Sequence, residues 1–333
     1  MAYPLADAHL DLAYNALEHG WDLTQPLPVL RERTAGPYRP TVTLPALAEA
    51  GVAVVFATLF VDPGRYPEPA DAARAARRQL GLYRRWEAEG RVRLIEDDRG
   101  LVAHLARWQA DRIPGLVLLM EGAHPLADPR ELAAWYQDGL RILGPAWKDT
   151  PYAGGTGGTG GLTPAGRELL SAMADLGLAL DLAHLSEAAF LEALDYPGPL
   201  LVSHANPRAL AWREGAGPPA NRHLSDAQIA ALADRDAVVG VVLYNRFLDP
   251  DWAPGSPLPL ARVAEHVGYL ADRLGWERVG IGSDLDGGFG AEATPAGLDA
   301  PAGLLGLAPL LGPRARRVLG ENWIAWLRRA LPG

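Results

Sequence analysis

Short apolar runs alternate with segments of helical periodicity along the whole chain. This pattern is typical of repeated strand–helix units that build a parallel sheet. Eight runs are predicted as strands, and several are almost continuously apolar, as expected for strands that are buried on both faces. The predicted strands are 5–10, 52–60, 115–120, 140–143, 178–183, 199–203, 238–243 and 278–283. Gly144 and Pro145 end the fourth run.

Segments of helical length separate these strands. Ser186 and Ser225 stand where helix N-caps are expected. The predicted helices are 70–88, 100–110, 129–136, 164–176, 186–194, 225–232 and 259–274, and the tail 304–331 adds one or two closing helices. Eight such units predict an α/β fold, a TIM-type (β/α)8 barrel. We expect it to form a single domain over residues 1–333, because barrels of this type range from ~250 to ~400 residues.

The long irregular segments are not spread evenly. Residues 62–69, 151–161, 248–257 and 287–302 each follow a predicted strand and precede a helix, so a barrel would gather them at the C-terminal rim of its strands. Barrel active sites form at that rim. The glycine-rich tract 154–161 lacks the Lys-Ser/Thr of a phosphate-binding P-loop, so we interpret it as a lid or a linker.

Composition narrows the class of partner. The formal net charge is −9 and no basic block is present, which argues against a nucleic-acid groove and against docking on an anionic membrane surface. No apolar run approaches the roughly 18 residues of a membrane span. The absence of cysteine excludes disulfides, thiolate metal sites and a cysteine nucleophile. No export signal is evident, so we expect a cytoplasmic protein with a small-molecule substrate.

The segment Asp7-Ala8-His9-Leu10-Asp11 is the first that suggests chemistry. In an extended strand Asp7, His9 and Asp11 share one side. Taken alone, the segment also fits a helix N-cap at Asp11 beside a structural histidine. The other strand ends favour a functional site, because they carry further histidines and acids.

The residues at or just after the predicted strands converge on one point of the rim. They are His9 and Asp11 on the first strand, Glu121 on the third, His184 on the fifth, His204 on the sixth and Asp284 on the eighth. The remaining histidines lie elsewhere: His104 and His266 fall inside predicted helices, and His19 and His223 lie near a helix end and in a loop. His124 lies near the rim, but we do not assign it as a ligand.

Three imidazoles and three carboxylates suit a hydrolytic site for zinc, or for manganese or cobalt. Six ligands exceed the needs of one tetrahedral zinc. We therefore expect two metals ~3.5–4 Å apart, bridged by a carboxylate and by a water or hydroxide. Glu121 is the geometric candidate for the bridge. Asp284 is preferred as the proton carrier because it is nearer the strand end, whereas Asp286, beside Gly287, also fits a turn.

These residues belong to an ordered set of motifs through which the chain resembles the membrane (renal) dipeptidase family of dizinc peptidases, on an amidohydrolase-like barrel. The set comprises Asp-Ala-His9-Leu-Asp11, Glu121-Gly122, Gly161-Leu-Thr-Pro-Ala-Gly-Arg-Glu, Asp-Leu-Ala-His184-Leu-Ser, Val-Ser-His204-Ala-Asn-Pro-Arg, Arg222-His-Leu-Ser-Asp226, Tyr244-Asn245, Gly-Ile-Gly-Ser-Asp284-Leu-Asp-Gly and Gly320-Glu-Asn-Trp. Each motif alone is weak, but their order matches the family nearly end to end.

The resemblance implies a role for each site residue. One zinc would be held by His9, Asp11 and the bridging Glu121, and a second by Glu121, His184 and His204. Asp284 matches the catalytic acid/base of the family. Arg222 matches its clamp for the dipeptide carboxylate, a role suited to a planar, permanently charged guanidinium. Tyr244 is expected to line the substrate pocket, with a buried core position as the alternative.

One departure from the family pattern concerns Trp147. The family usually carries a histidine here that helps to bind the scissile carbonyl, whereas this chain has Gly-Pro-Ala-Trp147-Lys148-Asp. Losing one donor to a developing oxyanion costs ~2.7–4 kcal/mol. We therefore expect either that Trp147 or Lys148 replaces the donor, or that the substrate differs.

The sequence thus predicts a zinc-dependent dipeptidase acting through a metal-bridging hydroxide, with dipeptides carrying a C-terminal D-residue among its candidate substrates. Two alternatives stay open. One is another amidohydrolase-like reaction on a lactone, ester or phosphotriester, with Lys148 as a carboxylated bridge. The other is a metal-binding relative without catalysis. A homodimer is also left open, since relatives often dimerise.

Overall fold

The computed structural model describes residues 3–333, and its centre is one sheet of parallel strands. The strands are β1 (Leu5–Leu10), β2 (Val52–Phe60), β3 (Arg93–Leu94), β4 (Gly115–Glu121), β5 (Leu140–Gly144), β6 (Ala179–Asp181), β7 (Leu200–Val202), β8 (Val238–Val241) and β9 (Val279–Ile281). Pairing runs in the order β1-β2-β4-β5-β6-β7-β8-β9, and the short β3 pairs with β4.

The first and last strands meet and bring the sheet close to closure. The backbone N–H of Asp284, just after β9, donates to the carbonyl of His9 in β1 at 3.3 Å. The predicted TIM-type barrel is therefore confirmed, including the fourth predicted strand, since β5 pairs with both β4 and β6. Strands β6, β7, β8 and β9 are shorter than predicted, and β3 was not predicted.

Helices follow the strands in the expected alternation. The α-helices are α1 (Leu12–Glu18), α2 (Leu27–Arg33), α3 (Leu44–Ala50), α4 (Pro69–Ala88), α5 (Asp98–Asp111), α6 (Leu132–Gln137), α7 (Pro164–Leu176), α8 (Glu187–Ala193), α9 (Arg208–Ala211), α10 (Asp226–Ala233), α11 (Asn245–Leu248), α12 (Ala261–Leu274), α13 (Ala308–Leu311) and α14 (Asn322–Ala330). Both predicted N-caps are confirmed, because the hydroxyls of Ser186 and Ser225 accept the backbone N–H groups of Ala189 and Gln228.

Alternate strand residues meet in one apolar cluster with the last helix. Trp323 and Trp326 of α14 pack against Phe56, at ring-centroid distances of 5.2 and 6.0 Å. Their indole N–H groups donate to the carbonyls of Ile281 and Leu200. Buried indole nitrogens need such partners, so the C-terminal helix is tied to the sheet by both packing and hydrogen bonds. In the described part of the chain no helix has the length and apolarity needed to cross a bilayer.

Two glycines allow the backbone after β7 to approach its neighbours closely. A Cβ at Gly240 would lie 2.0 Å from the carbonyl oxygen of Ser203, and one at Gly282 would lie 1.8 Å from the same oxygen and 3.1 Å from Cβ of His204. Only a residue without a side chain fits such an approach. These glycines therefore set where His204 stands.

We expect Gly282→Ala to lower the free energy of unfolding by about 1–3 kcal/mol, because the added methyl must displace buried backbone. Gly268→Ala is the matched control, since Gly268 lies inside α12 with nothing within 4 Å of an added Cβ. The control should gain about 0.5–1 kcal/mol from helix propensity. Urea unfolding measures both changes, and a shift of the same sign in the two variants would contradict this account.

His266 makes the stability of the fold dependent on pH. It is fully buried in α12, where its Nε2 lies 2.9 Å from the carbonyl of Leu248, and burial lowers its pKa to about 4. An unfolded histidine titrates near 6.5, so between those values the unfolded chain binds a proton that the folded chain does not. Stability from this group is therefore complete above pH 6.5 and falls as the pH drops.

Between pH 7.5 and pH 5.0 the His266 effect amounts to roughly 2 kcal/mol of unfolding free energy. His266→Gln lacks the titration, so its stability deficit relative to the native chain should shrink by that amount at pH 5.0. Urea unfolding at both pH values tests the prediction. A deficit that stays constant would show that His266 does not titrate in this window.

Candidate active site

A cavity of about 430 Å³ opens at the C-terminal rim of the barrel. Seven of the nine predicted site residues line it: Asp11, Glu121, Trp147, His184, His204, Arg222 and Asp284. Residues not predicted for the site also contribute to its wall, among them Tyr14, Tyr38, Asp62 and Phe247. Tyr38 and Asp62 lie in loops, and Tyr14 and Phe247 lie in the short helices α1 and α11, which the strand pattern did not predict.

Glu121, the last residue of β4, stands at the centre of the cluster. Its Oε2 lies 3.4 Å from Nε2 of His9. Its Oε1 lies 3.0 Å from Nε2 of His184 and 3.5 Å from Nε2 of His204. One carboxylate oxygen therefore faces each of the two ligand groups that the sequence suggested.

The first of these groups surrounds His9. Its Nε2 lies 3.8 Å from Oδ1 of Asp11 and 3.9 Å from Oδ1 of Asp284. Asp11 holds the N-cap position of α1, yet its side chain makes no capping hydrogen bond and accepts the hydroxyl of Thr58 instead. Both ring nitrogens of His9 are buried without a hydrogen-bond partner. The purely structural interpretation of this segment is therefore wrong.

The charges in this cluster are strongly coupled. Burial, with the nearby Glu121 charge, raises the pKa of Asp11 to about 6. Burial also raises the pKa of Asp284 well above its ordinary value. For Glu121 burial acts in the same direction, but His9 and His184 outweigh it and hold the pKa of this carboxyl below its usual range. So many acids collect at one point only if positive charge compensates them.

The donor set fits divalent cations. Ligand atoms of His9, Glu121 and His204 lie within 4.8 Å of one another, and so do those of His9, Asp11 and Asp284. His9 carries unpartnered buried nitrogens, which a metal ion would satisfy. Imidazole and carboxylate without thiolate suit zinc, manganese or cobalt. The residues present therefore match a divalent metal centre.

Two of the site residues adopt a left-handed backbone. The φ angles are 66° at His184 and 59° at Asp284, while Gly122, next to Glu121, has a φ of 80°. Such a conformation costs a non-glycine residue of order 1–3 kcal/mol and persists where surrounding contacts impose it. Sequence analysis did not predict this strain, because neither position is a glycine.

Asp7 does not join His9 and Asp11, so that part of the prediction is wrong. The pairing register of β1 shifts between Asp7 and Leu10, which breaks the strict alternation of side chains. The Asp7 carboxylate instead accepts the backbone N–H and the hydroxyl of Ser283, together with the backbone N–H of His9. It supports the site without belonging to it.

Asp181 makes the same contacts elsewhere in the barrel, and sequence reasoning missed it. Its carboxylate accepts the backbone N–H and the hydroxyl of Ser203, together with the backbone N–H of Ala183. Ser203 in turn lies 2.8 Å from Nδ1 of His204. The sequence carried a signal in the position of these acids. Asp7 precedes His9 on β1, and Asp181 ends β6 shortly before His184.

Arg222 is buried beside the cavity, although arginine residues are mostly exposed at the surface of folded proteins. Its Nη1 donates to the carbonyl of His204 at 2.9 Å, and its guanidinium carbon lies 5.1 Å from the ring centre of Phe247. This contact holds one edge of the guanidinium in place. Arg222 therefore presents a fixed positive charge at the wall of the cavity.

The two predicted aromatic residues have different positions. Trp147 lines the cavity between Phe60 and His184, with ring-centroid distances of 5.2 and 6.2 Å. Tyr244 is half-buried, stacks on Phe289 at 4.5 Å and is not among the residues that line the cavity. Tyr244 therefore packs at the edge of the apolar core, outside the lining of the cavity.

Comparison with known proteins identifies the family. The family model described as membrane dipeptidase (peptidase family M19) matches residues 1–315. An uncharacterised protein from the pqqA 5′ region of Klebsiella pneumoniae is 32% identical over 232 residues, which are 66% of this chain and 82% of that protein.

Two solved structures resemble the whole chain. A metallopeptidase from Rhodobacter sphaeroides, bound to a phosphinate mimic of the dipeptide L-Ala-D-Ala, has a TM-score of 0.81 at 26% identity over 99% of this chain and 100% of that one. A metallopeptidase of family M19, described as dipeptidase AC, has a TM-score of 0.81 at 27% identity over the full length of both chains. The chain therefore belongs to the membrane dipeptidase family, peptidase family M19, and is a metallo-dipeptidase hydrolase.

Proposed function

We propose that this protein hydrolyses the peptide bond of small dipeptides with two divalent cations, zinc being the expected metal. His9, Asp11 and Glu121 would hold one ion, and Glu121, His184 and His204 the other. The observation that carries the proposal is the position of Glu121, whose two carboxylate oxygens face the two ligand groups separately. When bound, the ions supply Lewis-acid polarisation of the substrate carbonyl and lower the pKa of an attacking water.

Asp284 is the group that we propose moves the proton. Its Oδ1 lies 3.9 Å from Nε2 of His9, and its carboxylate lines the cavity. Burial raises its pKa, which favours a carboxyl that can hold a proton taken from water and return it to the leaving amine. The left-handed backbone at Asp284 supports this role, since strained residues cluster at functional sites.

Arg222 would bind the free carboxylate of the dipeptide. A guanidinium held by the carbonyl of His204 keeps its remaining N–H donors available for a planar anion. The Rhodobacter sphaeroides relative binds a mimic of L-Ala-D-Ala, which supports a D-residue at the C-terminal side of the substrate. Lys148, the other candidate bridging group, is exposed, and its ammonium lies 5.0 Å from the Trp147 ring centre, which favours Glu121 as the bridge.

Metal analysis with turnover on matched L,L- and L,D-dipeptides tests the proposal. The expected result is two divalent ions per chain and hydrolysis of dipeptides. Treatment with a chelator should remove the ions and abolish the hydrolysis. A protein that hydrolyses a lactone, ester or phosphotriester panel but no dipeptide would overturn it. Full metal content without turnover on any dipeptide would point to the inactive alternative.

Asp284→Asn should keep both metals and lose turnover. A carboxamide fills the same space but cannot accept a proton, so we expect kcat to fall by ~10²–10⁴-fold. Elemental analysis and dipeptide turnover on the same preparation measure the two effects. Unchanged rates would rule out the proton-carrying role, and loss of metal would show that Asp284 is instead a ligand.

Arg222→Met should raise KM for dipeptides by ~10–100-fold, because it removes a charge-assisted hydrogen bond worth about 1.5–3 kcal/mol. A dipeptide amide, which lacks the terminal carboxylate, is the matched control substrate. It should bind equally weakly to the native enzyme and to the variant. An equal loss on both substrates would show that Arg222 acts through His204 rather than on the carboxylate.

A further inference from the structure

A line of three hydrogen-bonded side chains runs from the barrel to the site. The Asp181 carboxylate accepts the hydroxyl of Ser203 at 2.5 Å, and Ser203 Oγ lies 2.8 Å from Nδ1 of His204. All three residues are buried, so water does not compete for these contacts.

With Asp181 as a carboxylate, the hydrogen bonds along this line assign the tautomer of His204. A serine hydroxyl has one hydrogen to donate, and a carboxylate only accepts. Since Ser203 donates to Asp181, its oxygen must accept from His204, so Nδ1 of His204 carries the proton. The other nitrogen, Nε2, is then a bare lone pair that faces Oε1 of Glu121 at 3.5 Å and Nε2 of His184 at 2.9 Å.

We propose that Asp181 is a positioning residue that acts through Ser203 to set the tautomer of His204 and to keep its Nε2 ready for a metal ion. This inference rests on the proposed role of His204 as a ligand. The orientation of a ligating imidazole by an outer carboxylate is a general device, and losing it typically costs 10–100-fold in metal affinity.

The chain supplies a matched control in Asp7 and Ser283. Asp7 accepts the backbone N–H of Ser283 at 2.8 Å and its hydroxyl at 2.5 Å, as Asp181 does with Ser203 at 2.9 and 2.5 Å. Each Oδ1 also accepts a backbone N–H two residues further along the chain. The two units differ at the serine, because the Ser283 hydroxyl contacts no histidine ring and instead accepts the backbone N–H of Leu285.

Asparagine at position 181 would reverse the hydrogen bonds in a defined way. Oδ1 of Asp181 accepts two backbone N–H groups, so the amide oxygen must stay there and the NH₂ must face Ser203. Ser203 then has to donate to Nδ1 of His204. That forces the proton onto Nε2, where it blocks the metal.

The experiment compares Asp181→Asn with Asp7→Asn by chelator competition for zinc and by long-range ¹H–¹⁵N NMR of the metal-free proteins. We expect Asp181→Asn to weaken one of the two zinc sites by 10–100-fold and to move the His204 proton from Nδ1 to Nε2. Asp7→Asn should keep its affinity near the native value and leave the His204 proton on Nδ1. Equal affinities in the two variants would overturn the proposal.

Two further measurements keep the test decisive. The metal-free native protein should already show the proton on Nδ1 of His204, so finding it on Nε2 overturns the inference even if the variants fail to fold. His204→Ala separates this inference from the proposed function. Retention of both zinc ions in His204→Ala would remove His204 from the ligand set, whereas loss of one ion with an unaffected Asp181→Asn would overturn the Asp181 role alone.

Discussion

The carboxylate of Glu121 is the contact on which the arrangement of the site depends. It is buried among three imidazoles from three other strand ends, and each of its oxygens serves a different side of the cluster. A buried carboxylate without partners is costly, and so are buried imidazoles that must share protons. The attraction between the Glu121 carboxylate and the three imidazoles therefore stabilises one arrangement of the strand ends. Divalent cations would complete the balance of charge in this cluster.

A layer of buried acids around this centre fixes the backbone that carries it. Asp7 and Asp181 bind Ser283 and Ser203, which immediately precede Asp284 and His204. Asp286 accepts the backbone N–H and hydroxyl of Thr41 and the backbone N–H of Val42, and burial raises its pKa to about 7. It thereby ties the segment bearing Tyr38 to the loop after β9, so Asp286 does more than end a turn.

The cavity wall combines charge with aromatic surface. Arg222 supplies a fixed cation on one side, whereas Trp147 and Phe60 supply apolar area on another. The indole of Trp147 brings apolar surface and a single donor. This side of the cavity is therefore largely apolar.

The sequence by itself determined the barrel and the approximate membership of the site. Buried parallel strands leave near-continuous apolar runs, and in a parallel barrel every strand ends at the same rim, so His9, Glu121 and His204 could be brought together without coordinates. Only the tertiary structure decided where Asp7 and Tyr244 point, how the two oxygens of Glu121 divide, and that Ser203 lies between Asp181 and His204. These features depend on a register shift and on hydrogen bonds between residues far apart in the chain, and a local pattern of apolar and polar positions does not encode them.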